Sequence, residues 1–224
     1  MATSGIFDQW DLDHLGPFPI PKSGNRYIFV GVERLSRLPV AFPTPDTTGM
    51  TTSHKIKNII SMFGVPSVLR VDFATSFQNE KVNRLCDTYN ISLNFNAPYQ
   101  PEWMGLVERS NSRIRYGLAK ICDGNYDTWE DYLLEILLGI RSSRNRSTGK
   151  TPDELLYGIP LKTIGGEIFP TSNEVRVLEL SGVRVERLET VNTAVPYKHC
   201  TTYDVGDLVL ILNGRIRKKQ PHNK

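Results

Sequence analysis

The sequence is poor in the residues that build disulfide frameworks and zinc sites. Its 224 residues include 3 cysteines and 4 histidines, and neither type occurs at the close spacing of metal-ligand motifs. The cysteines are Cys86, Cys122 and Cys200, an odd number without a Cys-x-x-Cys pair. We therefore expect no disulfide framework and no zinc site, and we expect reduced thiols, as in an intracellular protein.

A long apolar run is also missing. The longest one, residues 133–140, is interrupted by Glu135 and is too short to span a bilayer. The first residues do not combine a charged segment with a following apolar one, so they do not resemble a secretory leader. We expect a soluble protein with no membrane partner.

Neither sign of charge dominates, since the formal net charge is +3. Basic side chains are nevertheless clustered, because residues 141–150 and residues 215–224 contain Arg and Lys but no acidic residue. Such clusters are typical of surfaces that bind phosphate. For either cluster alone, a solvated surface or a frayed tail is the simpler interpretation.

Apolar periodicity and turn signals predict an α/β domain with a mixed five-stranded sheet flanked by helices. We expect strands over residues 10–15, 27–33, 39–43, 68–72 and 91–95, the first three antiparallel and the third at an edge. Helices are expected after a cap at residues 46–48 as far as about residue 63, over 79–89, from 106 for about four turns, over 127–143, and from 152. We divide the chain into a core (1–160), a connecting segment (161–200) and a partial C-terminal module (201–224).

The stretch from Tyr99 to Asn111 predicts a loop that delivers a carboxylate onto a helix. Two prolines and Gly105 punctuate the loop, and no helix breaker follows for about four turns. A buried stripe is expected at Val107, Ile114, Leu118 and Ile121. The neighbouring face, which we expect to be exposed, carries a carboxylate, an amide, a hydroxyl and a guanidinium on Glu108, Asn111, Ser112 and Arg115. A lone Glu in a first helical turn would merely complement the helix dipole.

Glu108 has two companions in the predicted topology. Asp13 is expected to end the first strand and Asp72 the fourth, so three carboxylates can converge although they are far apart in sequence. Converging carboxylates repel one another and are tolerated mainly when divalent cations neutralise them. Oxygen ligands suit magnesium, and three acids fit two ions that share one Asp. Such an ion pair catalyses in-line displacement at phosphorus, and the helix beyond Glu108, with Asn111, Arg113, Arg115 and Lys120, would hold a nucleic-acid backbone.

Three motifs then carry a family resemblance. They are Trp10-x-x-Asp13, Val71-Asp72-x-x-x-x-Phe77, and Pro98-Tyr99-x-Pro101-x-x-x-Gly105-x-Val107-Glu108-Arg109-x-Asn111. Together they resemble the catalytic core of retroviral and retrotransposon integrases, and the 35 residues between Asp72 and Glu108 agree with the family's D,D-35-E signature. Matches to gypsy-type retroelements and their retroviral relatives are Gly16-Pro17-Phe18-Pro19, Phe63-Gly64-Val65-Pro66 and Thr148-Gly149-x-Thr151-Pro152-x-Glu154-Leu155.

The resemblance implies an RNase-H-like fold, two Mg²⁺ or Mn²⁺ ions on the triad Asp13, Asp72 and Glu108, and cutting and joining of element DNA ends into target DNA. Tyr99 and Arg115 match positions that the family places near the DNA end. Together with the neighbouring helix residues, the expected DNA contacts are Tyr99, Arg109, Asn111, Arg113 and Arg115. We expect a homo-oligomer, a dimer or larger, a host chromatin factor as a further partner, and action in the nucleus after a cytoplasmic stage of the parent element.

Some features depart from the family pattern. After Asp72 the family usually has Asn or Gln and then Gly, whereas Phe73-Ala74 stands here, which predicts a stiffer loop or lowered activity. The family's N-terminal His-His-Cys-Cys zinc module is not found. Val205-Gly206-Asp207-Leu208-Val209 is similar to the start of the family's SH3-like C-terminal barrel, but only a few residues follow it. We expect a core fragment or a domesticated derivative of an element.

Three functions are compatible with these residues. The intact triad favours a polynucleotidyl transferase. The alternative from another class is a domesticated DNA-binding or chromatin-binding protein that kept the fold without the reaction. A nuclease of the RNase H type shares the metal chemistry but neither the 35-residue spacing nor the Pro-Tyr loop.

Overall fold

A computed structural model describes residues 5–21, 23–96, 105–124 and 126–158. Tyr99, the predicted connecting segment and the predicted C-terminal module lie outside the described residues, so the domain boundaries stay predictions. The described strands are β1 (Gln9–Leu15), β2 (Tyr27–Glu33), β3 (Pro39–Thr44), β4 (Val68–Val71) and β5 (Ser92–Phe95). The described α-helices are α1 (Gly49–Phe63), α2 (Glu80–Tyr89), α3 (Gly105–Cys122), α4 (Leu133–Ser142) and α5 (Pro152–Tyr157).

The five strands form one mixed sheet in the order β3-β2-β1-β4-β5. Short connections allow β1, β2 and β3 to pair antiparallel, whereas β4 pairs parallel with β1 and β5 pairs parallel with β4. Parallel neighbours need a crossover, and α1 and α2 supply the two crossovers. The prediction of a mixed five-stranded sheet flanked by helices is confirmed, with β3 at an edge.

Helices cover both faces of the sheet. On one face, α1 and α2 pack on Trp10, Leu12 and Phe29. On the other face, α3 and α4 pack on side chains of β1, β2 and β3, among them Leu15 and Val30. A Cβ added at Gly31 would lie only 2.9 Å from Ile59 Cδ1, so this glycine permits the close approach of α1 to the sheet.

Local sequence explains where the helices begin. The Thr48 side chain accepts a hydrogen bond from the Thr51 amide at the start of α1, and Asn79 does the same for Val82 in α2. In α5 the Thr151 and Glu154 side chains form a reciprocal capping box, with Pro152 in the first turn. Within the described residues, no helix has both the length and the apolar character needed to cross a membrane.

The start of α4 and the burial of one residue of α3 differ from the sequence-based predictions. Residues 126–128 form a short 3₁₀ helix and α4 begins only at Leu133, because Trp129 is fully buried and its indole N–H donates to the Pro19 carbonyl at 3.3 Å. The predicted burial of Ile121 is also wrong, since this side chain is 44% exposed. In the last turn of α3 the interior position is taken by Cys122 instead.

Candidate active site

Asp13 lies within β1, two residues before its end, and not at the end as the sequence predicted. Side chains alternate along a strand, and Leu15 belongs to the core cluster under α3 and α4 while Leu12 belongs to the opposite cluster. Asp13 therefore points toward α3. Its carboxylate accepts a hydrogen bond from the His14 amide at 2.7 Å and from Asn111 Nδ2 at 2.6 Å.

Asp72 is the residue that follows β4 directly. Its Oδ1 accepts a hydrogen bond from the Ala74 amide at 3.1 Å, the pattern by which Asp stabilises a turn after a strand. Because β4 is the parallel neighbour of β1, the carboxyl ends of both strands lie at the same edge of the sheet. The topology thus brings Asp72 to the side of the sheet at which β1 delivers Asp13.

Glu108 occupies the first turn of α3 and is exposed. The helix is fixed by the buried side chains of Val107, Ile114 and Leu118, as the predicted stripe required. A carboxylate near a helix N-terminus lies close to the positive end of the helix dipole. Glu108 therefore comes from a third element, and its charge acts on Asp13.

The three acids influence one another electrostatically. Burial is the main cause that raises the pKa of Asp13 to about 6, and the negative charges of Asp72 and Glu108 raise it further. The hydrogen bonds from His14 and Asn111 act in the opposite direction. A carboxylate with this pKa is only partly stabilised in its charged form, and a cation placed among the three acids would remove that cost.

Asn111 corrects the sequence-based view of α3. It was expected on the exposed face as a DNA contact, but it is only 7% exposed and donates to Asp13. The reason is geometric, since Asn111 lies three and four residues from Glu108 and Val107, between the polar face and the buried stripe. Sequence reasoning missed its contact with Asp13, and the one available signal was a polar residue beside the stripe.

The remaining predicted DNA contacts on α3 are exposed. Arg109, Arg113 and Arg115 lie on its solvent side, as does Lys120. Tyr99 lies outside the described residues, so its placement stays a prediction.

The donor chemistry of the site fits a hard divalent cation. Carboxylate oxygens are the ligands that magnesium prefers, and the Oδ1 of Asn111 is buried without a hydrogen-bond partner in the described residues. In the described ranges, however, no three His, Cys, Asp or Glu side chains lie close enough together to hold one ion jointly. Asp72 and Glu108 therefore lie close enough to Asp13 to raise its pKa, but the three acids do not form a closed cage.

Comparison with known proteins identifies the family. Residues 6–101 match the model of the integrase core domain, a range that includes Asp13 and Asp72. The chain carries a retroviral-type integrase catalytic core. Glu108 lies beyond the matched range, and its assignment rests on the motif and on its position on α3.

Relatives and solved structures agree with this integrase core. The chain is 31% identical over 230 residues to the Gag-Pol polyprotein of Woolly monkey sarcoma virus, an alignment covering 96% of this chain. The catalytic core domain of BIV integrase is 26% identical with a TM-score of 0.53, covering 66% of this chain and 92% of that one. The HTLV-2 integrase catalytic core domain in complex with magnesium (trimeric form) is 21% identical with a TM-score of 0.54, covering 65% and 93% respectively, and it supports the RNase-H-like fold.

The viral polyproteins are much longer than this chain. The chain spans 13% of the Woolly monkey sarcoma virus polyprotein. The integrase core thus corresponds to one small part of such a polyprotein.

Proposed function

We propose that this chain is a DDE polynucleotidyl transferase that cleaves element DNA ends and joins them to target DNA. The observation that carries the proposal is the placement of Asp13 on β1 and of Asp72 directly after β4, at the carboxyl ends of two paired parallel strands, with the charges of Asp72 and of Glu108 on α3 both acting on Asp13. In the proposal these residues bind two Mg²⁺ or Mn²⁺ ions. When bound, such ions activate the attacking oxygen and stabilise the leaving oxygen in an in-line displacement at phosphorus.

The protein's own groups set the geometry of the proposed site. Asn111 and the His14 amide each hold one oxygen of Asp13, which fixes the orientation of its carboxylate. The Ala74 amide does the same for one oxygen of Asp72. Groups that are held before the substrate arrives need no reorganisation during the reaction, and this is the basis of positioning in enzymes.

The proposed substrate is DNA, both as element ends and as target. Arg109, Arg113 and Arg115 are exposed on α3, the helix that carries Glu108, and would contact phosphates, which position a nucleic acid without reading its sequence. Tyr99 is proposed to lie near the DNA end because it matches the family position. Since the target is chromosomal, we also propose that the protein acts in the nucleus, beside a host chromatin factor.

We propose further that the active form is a homo-oligomer, a dimer or larger. Two element ends must be held together for paired insertion, and one triad serves one end. The HTLV-2 core was solved in a trimeric form, which supports self-association of such cores without fixing the number of subunits here.

One observation favours a second candidate function. Phe73-Ala74 follows Asp72 where the family usually has Asn or Gln and then Gly. A domesticated DNA-binding or chromatin-binding protein without catalysis would tolerate such a change beside the triad.

A strand-transfer assay separates the two candidates. The chain is incubated with a labelled element-end duplex and a plasmid, with Mn²⁺ or Mg²⁺ and in parallel with EDTA. Labelled DNA joined to the plasmid only in the presence of metal would support the transferase. DNA binding that is retained while neither cleavage nor joining occurs with Mn²⁺ or Mg²⁺ would support the non-catalytic candidate.

A further inference from the structure

Two aromatic rings lie beside Asp72, at the carboxyl ends of β4 and β5. Phe95 is the last residue of β5 and pairs with Val71, the last residue of β4. Phe73 is the residue directly after Asp72. Its ring stacks on that of Phe95, with centroids 5.3 Å apart and an interplanar angle of 22°. Offset stacks of this kind are stable arrangements for aromatic pairs.

The pair is anchored at one end and open at the other. Phe95 packs against the core cluster between the sheet and α1 and α2, while Phe73 remains 49% exposed. The hydrogen bond from the Ala74 amide to Asp72 fixes the turn that carries Phe73. One face of the Phe73 ring is therefore covered by Phe95, and the other is open to solvent at the carboxyl end of β4, one residue after Asp72.

From this placement we propose that Phe73, backed by Phe95, stacks on an unpaired nucleobase of the DNA strand whose phosphate lies at Asp72. This inference rests on the proposed function, which brings a DNA strand to Asp72. Every base has a flat π-face, so an aromatic side chain binds any unpaired base.

A nucleobase fits this patch better than a protein partner does. Phe73 is the exposed ring of the pair, whereas Phe95 is partly buried against the core cluster, and the exposed residue Thr75 that follows two positions after Phe73 is polar. A stable protein interface buries on the order of 800 Å² on each partner, far more than one ring offers. A single base needs only the open face of Phe73.

The test compares two DNAs that differ only in base pairing. Binding of a fully paired duplex and of the same duplex with three unpaired nucleotides at one end is measured by fluorescence anisotropy, with Ca²⁺ present to avoid turnover. Stacking on one base contributes a factor of about 5 to 150 in affinity. We expect Phe73→Ala to lose affinity for the unpaired-end DNA within that range and to leave binding of the paired duplex nearly unchanged.

Further variants separate stacking from other effects. Phe73→Tyr should keep the wild-type preference, whereas Phe73→Leu, which is apolar but has no ring, should lose it. The matched control is Tyr89→Ala, because Tyr89 is also an exposed aromatic but precedes the opposite end of β5. Because stacking neutralises no phosphate, the slope of log affinity against log salt should be the same in Phe73→Ala and wild type.

Each outcome has a defined meaning. A preference for the unpaired end that survives in both Phe73→Ala and Phe73→Leu would overturn the inference, and normal metal-dependent joining in the same preparations would leave the proposed function intact. Loss of joining in wild type, with the Phe73-dependent preference retained, would refute the proposed catalysis while supporting base stacking. A bulged duplex is a third probe, which shows which DNA supplies the stacked base. Phe73-dependent binding to the bulge indicates a base of the target DNA. Phe73-dependent binding to the unpaired end alone indicates a base of the element end.

Discussion

At the residue scale, the carboxylates of the three candidate catalytic acids lie in three different surroundings. Asp13 is partly buried and held by two hydrogen bonds, Asp72 accepts one from a backbone amide, and Glu108 is exposed. The pKa of Asp13 is raised to about 6, chiefly by burial and in part by the other two charges. Because the pKa of Asp13 is raised on folding, ionisation of this carboxyl lowers the stability of the metal-free protein as the pH rises through about 6, and it is the ionised form that binds a cation.

The first prediction concerns removal of one of these charges. Asp72→Asn should abolish metal-dependent cleavage and joining, while the free energy of unfolding without metal stays within about 1 kcal/mol of wild type. The charge that raises the pKa of Asp13 disappears, so repulsion in the folded state falls and offsets the lost contact. Joining is followed on gels, and stability by urea unfolding at pH 7.

The control for this substitution is Asp123→Asn, which removes an exposed carboxylate just after α3. It should cleave and join at the wild-type rate. Joining by Asp72→Asn at the wild-type rate would show that Asp72 is not part of the catalytic site.

The second prediction concerns Asn111. Its amide donates a partly buried hydrogen bond to the Asp13 carboxylate, and loss of a hydrogen bond to a charged group costs about 1.5–3 kcal/mol. Asn111→Ala should lower the free energy of unfolding by that amount. It should also weaken metal binding about 10- to 100-fold, as expected when a group that orients a metal-binding residue is lost.

Metal binding is measured by the rise in Tm during a Mn²⁺ titration, which needs no turnover. The neighbouring Ser112→Ala serves as the control, because its hydroxyl donates to the Glu108 carbonyl within α3 and not to Asp13. If the Mn²⁺ concentration at half of the Tm rise were the same in Asn111→Ala and in wild type, the Asn111 hydrogen bond would not be needed to orient Asp13.

Residue positions on α3 could be predicted only in part. Apolar periodicity located Val107, Ile114 and Leu118 in the core, because burial of such side chains dominates helix packing. The same pattern counts residue types and ignores partners, so it could not show that an amide would be buried against a carboxylate 98 positions earlier in the chain.

At the element scale, α3 serves two purposes with two faces. Its buried stripe packs on the sheet and α4, while its outer side carries Arg109, Arg113 and Arg115. A helix that packs on the core in this way holds its charged side chains in a fixed array. Such an array suits a regular phosphate backbone.

The third prediction tests that array. Arg115→Ala should weaken DNA binding by a similar factor for all sequences and reduce the slope of log affinity against log salt by about one. Lys57→Ala is the matched control, since Lys57 is an exposed cation on α1, which covers the opposite face of the sheet. Equal slopes for Arg115→Ala and Lys57→Ala would show that Arg115 makes no phosphate contact.

Elements with strong local signals were predicted well. β2 was expected over its full observed range, and the prolines of β3 indicated an edge strand, because proline cannot donate inside a sheet. The start of α4 was wrong because Trp129 is held by the distant Pro19 carbonyl. Contacts between residues so far apart in sequence leave no trace in a local pattern.

At the scale of the whole molecule, the proposed reaction has stages of different complexity. One triad with one DNA strand is enough for reversal of joining on a preformed branched DNA. Concerted insertion of two ends requires several subunits that hold two ends and a target together. These requirements allow the two stages to be tested separately.

The fourth prediction is that the chain alone reverses joining but does not insert two ends efficiently. We expect the modules predicted in residues 161–224 to be insufficient for bridging DNA. The chain is incubated with Mn²⁺ and either a branched DNA or paired element ends plus a plasmid, and products are resolved on a gel. Abundant full-site products would contradict this expectation and would assign a bridging role to those residues.

The edge strand β3 also affects how molecules meet at high concentration. Pro39 and Pro43 lie in this strand, and neither offers an N–H group to a strand approaching from outside. Indefinite stacking of sheets from molecule to molecule requires two open edges, one on each side. With the β3 edge short of donors, we expect strand addition to favour the β5 side of the described sheet, where a single pairing leaves no second open edge from which a fibre could grow.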